Sequence, residues 1–411
     1  MTELRQRLHG SREDLIVYLA AGWWDGPAGT DRQMASELTR YGPVLYVDPP
    51  VSALTKLLKP HHAALSNQPR LQLHHPRMAR LITRVIPGMT RPVLRHLRAP
   101  MVSRGVVSAV ASLCGEGAPV AAVVSSRVDE AWCALPARRR LLYVTDDLVA
   151  GADMLGLPRR RLERAERAAV RGADAVAVVS PGLRQRFARD GISAEIVPNG
   201  CAPDVFADVD SVAPPEGVPL ERPIAGFLGY INDRIDLALL EAVADTGCSL
   251  LIVGALGDGF QSPRFATLTA RRNVWWAGPR PYPDMPSFMR LIDVGLTPYA
   301  DTPFNRASFP LKTLEYLSAG RGVVATSLPA TRWLDTDLIA IADEPGAFAE
   351  RVRRALATPR TETLAAQRRA FAERHSWRRR ADRMAELLGL TGTITDRTSA
   401  SSRSVPVPWD G

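Results

Sequence analysis

Cysteine is scarce in this chain: of 411 residues only Cys114, Cys133, Cys201 and Cys248 are thiols, far apart and without neighbouring histidines. That spacing argues against a disulfide framework and against a zinc site, and it fits a reducing cytoplasm. Long apolar runs are missing as well. None approaches the roughly 20 residues that a membrane-spanning helix needs, and the polar, mixed-charge start from Met1 to Asp14 is no secretory signal. Acid is missing locally: between Pro49 and Gly115 there is no Asp or Glu. The same stretch holds Lys56, Lys59, Arg70, Arg77, Arg80, Arg84, Arg91, Arg95, Arg98 and Arg104, with His61, His62, His74, His75 and His96. The net charge of +9 is therefore concentrated in one segment. Such a patch attracts an anionic membrane or a phosphorylated acceptor, or it is the solvated surface of an Arg-rich protein. Nucleic acid comes last, because no aromatics are interleaved with the charges and no binding module is present.

What is present is the composition of a folded globular protein, 46% apolar and 23% charged, in a chain long enough for two domains. Short apolar runs alternate with longer helical patterns, as in βαβ units and a parallel sheet. Leu15–Ala20 reads as a strand leading into a turn rich in glycine (Gly22, Gly26, Gly29), and a helical stretch follows from Asp31 to Tyr41. Strands are expected at Val44–Val47, Val120–Ser125, Leu141–Thr145, Ala175–Val179 and Ala194–Val197. Pro203 and the run Pro214–Pro219 mark a linker. The alternation then restarts, with strands at Ile224–Leu228, Ser249–Val253, Val274–Trp276, Val294–Thr297 and Gly322–Thr326. Helices are expected at Asp236–Ala244 and Pro310–Ser318, and one long helical segment over roughly Glu362–Leu390 closes the fold. Residues 1–205 then form an N-terminal Rossmann-like domain and 206–390 a C-terminal one, the last helix packing back on the first. The tail, 391–411, lacks periodicity and reads as disordered. Two such halves leave a cleft between their strand ends, where these sheets bind ligands.

The richest constellation is Ser308-Phe309-Pro310-Leu311-Lys312-Thr313-Leu314-Glu315, running on to Gly320. Pro310 suits the first helical position and Gly320 the far end. Unpaired N–H groups at a helix start accept a diphosphate, Lys312 in the first turn adds a full charge, and Glu315 lies on the same face. A carboxylate there can accept hydrogen bonds from two ribose hydroxyls. The plainer alternative is an amphipathic helix with an exposed Lys–Glu pair.

This pattern resembles the group 1 glycosyltransferases of the GT-B fold, two Rossmann-like domains facing across a cleft. The resemblance continues in an ordered series: Glu163, Ala173-Asp174-Ala175-Val176, Val179-Ser180-Pro181-Gly182-Leu183, Val197-Pro198-Asn199-Gly200 and Phe206. It implies that Ser308, Phe309, Pro310, Leu311 and Lys312 hold the diphosphate of a nucleotide sugar and that Glu315 holds its ribose. Gly229 and Arg234, in Gly226-Phe227-Leu228-Gly229-Tyr230-Ile231-Asn232-Asp233-Arg234, would also grip the diphosphate. Gly278, Pro279 and Arg280 would hold the nucleobase, mainly through the main chain. The family's first glutamate falls at Ala307, and the lysine after its arginine is missing. The sugar and the retaining or inverting outcome are open for that reason. Arg234 has a plainer alternative, a surface pair with Asp236.

Catalysis needs a carboxylate to take the proton of an acceptor hydroxyl. Tyr143-Val144-Thr145-Asp146-Asp147 resembles the tyrosine-plus-paired-aspartate motif of bacterial polysaccharide and teichuronic-acid glycosyltransferases. Asp146 is the first choice for base and Asp147 its neighbour, unless Asp147 caps the next helix. Asp25, in the glycine-rich turn, is a rival. The expected reaction moves a sugar from a UDP- or dTDP-sugar to a hydroxyl acceptor, lipid- or phosphate-linked, in glycan or secondary-metabolite biosynthesis. No cofactor and no metal is expected, since the basic phosphate site supplies the charge. The expected place is the cytoplasm, with peripheral contact at the inner membrane face through residues 56–104. An epimerase or hydrolase of the same fold, or a nucleotide-sugar binder without activity, are the competing readings.

Overall fold

A computed structural model describes residues 15–26, 29–52, 70–87, 97–128, 132–153, 155–257 and 259–390. The expectations for Met1–Asp14, for the 391–411 tail, and for Lys56, Lys59, His61, His62, Arg91, Arg95 and His96 lie outside the described residues.

Two sheets form the frame. In the first half the strands are β1 (Ile16–Leu19), β2 (Val44–Val47), β3 (Leu71–His75), β4 (Met78–Leu81), β5 (Val120–Ser125), β6 (Ala137–Val144), β7 (Ala175–Val178) and β8 (Glu195–Ile196). They lie in the order β3-β4-β2-β1-β5-β6-β7-β8, parallel except for the β3/β4 hairpin. The second half has β9 (Ile224–Leu228), β10 (Ser249–Val253), β11 (Val274–Trp276), β12 (Val294–Thr297), β13 (Gly322–Ala325) and β14 (Ile339–Ile341). Their order is β11-β10-β9-β12-β13-β14, all parallel. Strands such as β2, β5 and β9 are buried along their whole length. Strands covered on both faces by helices carry continuous apolar runs, which is why they stood out in the sequence.

The helices of the first half are α1 (Thr30–Leu38), α2 (Arg98–Cys114), α3 (Arg159–Arg171), α4 (Pro181–Arg189) and the short α5 (Pro203–Phe206). Those of the second are α6 (Leu237–Asp245), α7 (Pro263–Thr269), α8 (Met285–Leu291), α9 (Pro303–Ala307), α10 (Leu311–Ser318), α11 (Pro329–Trp333), α12 (Pro345–Ala357), α13 (Glu362–Arg374) and α14 (Trp377–Leu388).

Two expectations need correction, and one element is new. The hairpin β3/β4 was not foreseen: β3 is half-exposed and polar, and β4 carries Arg80 in its buried row. The single helix over Glu362–Leu390 is two. Between them Ser376 is extended (ψ 155°), Cys201 N donates to His375 O (3.1 Å), and Trp377 N donates to Cys201 O (2.9 Å). Pairing with the linker takes the backbone groups that a continuous helix would use. Gly200 admits this crossing, since a Cβ there would stand 2.7 Å from Trp377 N. Finally, Pro310 is the N-cap of α10 (ψ 114°) rather than its first helical residue.

Helix α14 packs on α1 of the first half, where Asp382 accepts from Arg40 (2.9 Å) and from the Tyr41 hydroxyl (2.6 Å). A glycine fixes the seat of α10: a Cβ at Gly295 of β12 would lie 2.1 Å from the Tyr316 ring. The ring therefore lies flat on the strand and its hydroxyl accepts from Leu228 N (2.7 Å). That bond ties α10 to the end of β9.

Candidate functional site

Two cavities meet where the strand ends of the halves face each other. The one toward the second half, about 230 Å³, is lined by Gly229, Tyr230, Asn232, Arg234, Tyr299 and Ser308–Lys312, with Thr30, Thr145, Asp146 and Asn199 from the first half. The other, about 350 Å³, is lined by Ala21–Trp23, Gly29–Arg32, Tyr46, Thr145, Asp146 and Leu311. Thr30, Thr145, Asp146 and Leu311 belong to both walls.

The start of α10 is held from across the cleft. Asn199 Nδ2 donates to Phe309 O (2.9 Å), the Ser180 hydroxyl donates to Ala307 O, and Thr30 donates to Asn199 Oδ1 (2.8 Å). At Gly182 an added Cβ would come within 2.5 Å of Arg306 O. Ser180, Gly182 and Asn199 thus grip the backbone on either side of Ser308. Spacing along the chain gave no sign of that partnership. No side chain caps α10, so its first N–H groups carry the partial positive charge of a helix start. Lys312 and Glu315 sit one turn apart and are joined at 2.6 Å, with side chains 21% and 10% exposed. Glu315 lies behind Lys312 and is not a lining residue of either cavity.

Arg234 is not paired with Asp236, which instead caps α6 by accepting from Ala238 N (2.9 Å). Its Nε donates to Asn305 Oδ1 (2.8 Å), and its guanidinium lies 4.9 Å from the Phe304 ring and 5.6 Å from that of Tyr299. Asn305, fully buried, returns Nδ2 to Arg234 O (2.9 Å) and Ala300 O (2.8 Å). This anchor was missed in the sequence because it stands on a separate short helix, α9.

Gly229, Gly254 and Gly278 end three adjacent strands and are laced together: Gly229 N donates to Val253 O and Gly254 N to Gly278 O, both at 2.9 Å. Gly254 has φ 150°, and a Cβ there would strike Gly229 O at 1.8 Å. The close approach expected at Gly229 is thus demanded at Gly254. Gly278, Pro279 and Arg280 lie outside both cavities, and Arg280 turns back on its own domain, donating to Ala277 O (3.0 Å). Tyr282 follows; burial first, then the nearby Glu315 carboxylate, pushes its hydroxyl pKa up.

Among the three candidate aspartates only Asp146 reaches the cavities. Burial pushes its pKa up to about 6, against the pull of the Arg234 guanidinium and of hydrogen bonds from Ser308 and Thr145. Asp147 faces inward: it accepts from Ala150 N (2.9 Å) and meets Arg186 (3.3 Å), which also binds Glu166 (2.7 Å). It holds the turn after β6. Asp25 is ion-paired with Arg80 (2.8 Å), which also meets buried Asp48 (2.6 Å). The turn it sits in is stiffened by Asp31, which accepts from the Tyr18 hydroxyl (3.0 Å), Ala21 N (2.8 Å) and Gly22 N (3.0 Å). Asp31 and its neighbours Thr30 and Arg32 line the first-half cavity and carried no motif that would have revealed them. The four cysteines are free thiols. No described helix is long and apolar enough to cross a membrane.

Residues 222–358 match the family model described as glycosyl transferases group 1. A protein of Bacillus subtilis described as a teichuronic acid biosynthesis glycosyltransferase, TuaH, is 29% identical over 256 residues, 58% of this chain. The chain spans 64% of that relative's length. Among solved structures, sucrose-phosphate synthase from Thermosynechococcus elongatus is similar with a TM-score of 0.68 at 18% identity, covering 91% of this chain and 98% of that one. HepE of Anabaena in complex with UDP and glucose follows with a TM-score of 0.63 at 16% identity, over 92% and 99%. With the sheet pair described above, the chain has the GT-B fold, and its residues 222–358 are those that match the group 1 glycosyl transferases.

Proposed function

We propose that this chain transfers a glycosyl unit from a nucleotide-diphosphate sugar, UDP- or dTDP-linked, to a hydroxyl acceptor, with Asp146 as the base. The observation that carries the reading is the position of Asp146 in the wall shared by two cavities, with a pKa of about 6. The second-half cavity suits the donor: Arg234, Lys312 and the start of α10 supply positive charge for a diphosphate. The first-half cavity suits the acceptor. Its hydroxyl oxygen bonds to the anomeric carbon, its proton passes to Asp146, and the bond from that carbon to the diphosphate breaks. The leaving charge falls on Arg234, Lys312 and the helix N–H groups, so a metal is not required for it. Glu315 accepts from the ribose once Lys312 turns to the diphosphate, and the Gly278–Arg280 turn receives the base. HepE, the similar structure with UDP and glucose, supports UDP as the first donor to try.

The basic stretch gives the acceptor side its partner. Along the chain Arg84 is two residues from exposed Ile86 (52%), and Arg98 follows exposed Leu97 (49%), a combination suited to an anionic membrane surface at the cytoplasmic face or to a phosphate-linked acceptor there.

Thermal unfolding in EDTA with UDP, dTDP and their nucleosides tests the donor site. A ligand at about 100 times its dissociation constant adds roughly 2.7 kcal/mol. Glu315→Ala should lose most of that gain for nucleosides, whereas Lys312→Ala should keep it for nucleosides and lose it for diphosphates. Wild-type responses from both variants would remove the assignment.

A further inference from the structure

A third cavity, about 410 Å³, opens at the opposite ends of the second-half strands, where β9, β12 and β13 begin. It is lined by Arg222, Arg360 and Arg368 with Pro223, Leu356 and Pro359, and Asp293 is its acid. Asp293 is committed to Arg222, at 2.8 Å, and to Ile224 N, at 2.9 Å.

The nearby linker carboxylate is oversubscribed. Asp210 meets Arg321 (2.7 Å), Arg360 (3.2 Å) and Arg369 (3.6 Å). Arg321 is fully buried and takes the shortest of these contacts, so its charge is the one Asp210 neutralises first. Arg369 has a second acid in Glu362, at 2.9 Å. Arg360 thus shares Asp210 with two other arginines, and Arg368 meets no acid among the described residues, so positive charge is in excess where both face the cavity. Arg368 donates through Nη1 to Gly320 O (3.1 Å), the end of α10, and its Nε is buried without a hydrogen-bond partner among the described residues. Gly322, bearing no side chain, leaves the guanidinium its room: a Cβ would lie 3.3 Å from Nη2. Burial, then the neighbouring Arg360, lowers the pKa of Arg368, as expected of a cation whose charge no acid meets.

One guanidinium without an acid and with a buried unmatched N–H, beside a second that shares an oversubscribed carboxylate, calls for an anion with several acceptor oxygens. The remaining space is larger than a bare phosphate needs and is walled by proline and leucine. We propose that this cavity binds a small phosphate monoester, its dianion between Arg360 and Arg368 and its organic body against Pro223, Leu356 and Pro359. The recess is concave, so the ligand is a soluble ester rather than a headgroup within a bilayer. The site lies at the far strand ends from Asp146 and does not depend on the transferase reading.

Titration calorimetry of the full chain with glycerol 3-phosphate tests this, with UDP present at saturation to keep the probe out of the cleft. Wild type should bind the probe, and Arg360→Gln and Arg368→Gln should each weaken binding at least tenfold. Arg264→Gln, an exposed arginine elsewhere on the same domain, should bind as wild type. Arg368 also holds the end of α10, so circular dichroism checks its variant, and the exposed Arg360 gives the same reading without that risk. No binding by wild type, equal binding by Arg360→Gln, or uptake of anionic vesicles without the soluble ester would overturn the proposal. If UDP fails to bind the cleft, the dependence on Arg360 still reports on this cavity alone.

Discussion

Replacing Asp146 with asparagine should slow the reaction and stabilise the protein, and both effects follow from one number. The ordinary carboxyl value of 3.8 is raised to about 6 in the folded chain. At about 1.36 kcal/mol per tenfold change in proton affinity, holding the charged form costs the fold about 3 kcal/mol. The folded state binds this proton more tightly than the unfolded chain does. The cost is therefore full above pH 6 and fades as the pH falls from 6 toward 4. Asparagine is uncharged throughout, so Asp146→Asn should gain up to about 3 kcal/mol in urea unfolding at pH 7.5, and progressively less at pH 6 and 5. The same carboxyl as a base is about nine-tenths ionised at pH 7 and about one-tenth at pH 5, which predicts a roughly tenfold fall in wild-type rate between them. The variant should lose about 10²- to 10⁴-fold in kcat and keep a residual rate without that pH dependence. A variant no more stable than wild type at pH 7.5, or a wild-type rate that is level from pH 5 to 7, would refute the reasoning.

Asn305→Ala removes the partner of Arg234 Nε; loss of a charge-assisted bond worth about 1.5–3 kcal/mol should raise the KM for donor tenfold or more and leave acceptor KM unchanged in steady-state kinetics. Sedimentation with vesicles of anionic lipid should carry the protein down at low salt, each surface arginine adding about 1 kcal/mol. Ile86→Asp with Leu97→Asp should weaken that, and equal sedimentation of the pair would exclude this face.

The strands at the centre of both halves were legible because parallel strands buried on both faces are continuously apolar. The edge hairpin β3/β4 was hidden: its interior arginine, Arg80, is tolerated only through Asp48 and Asp25, which arrive from distant turns. Of the site, the helix start at Ser308–Lys312 could be read from local chemistry. The choice between Asp146 and Asp147 could not. They are chain neighbours, and what separates them is Arg186, brought beside Asp147 by α4. Likewise the break before Trp377 depends on Cys201, which no local pattern announces.

The chain passes between the halves twice, after Cys201 and again at Ser376, and the two passages are stitched side by side by backbone hydrogen bonds. A single tether would let the domains twist and slide as well as part. Two adjacent tethers act as the pin of a hinge and leave mainly one rotation. The facing of Arg234 and Ser308 toward Asp146 is thus set at two neighbouring points of the chain instead of one.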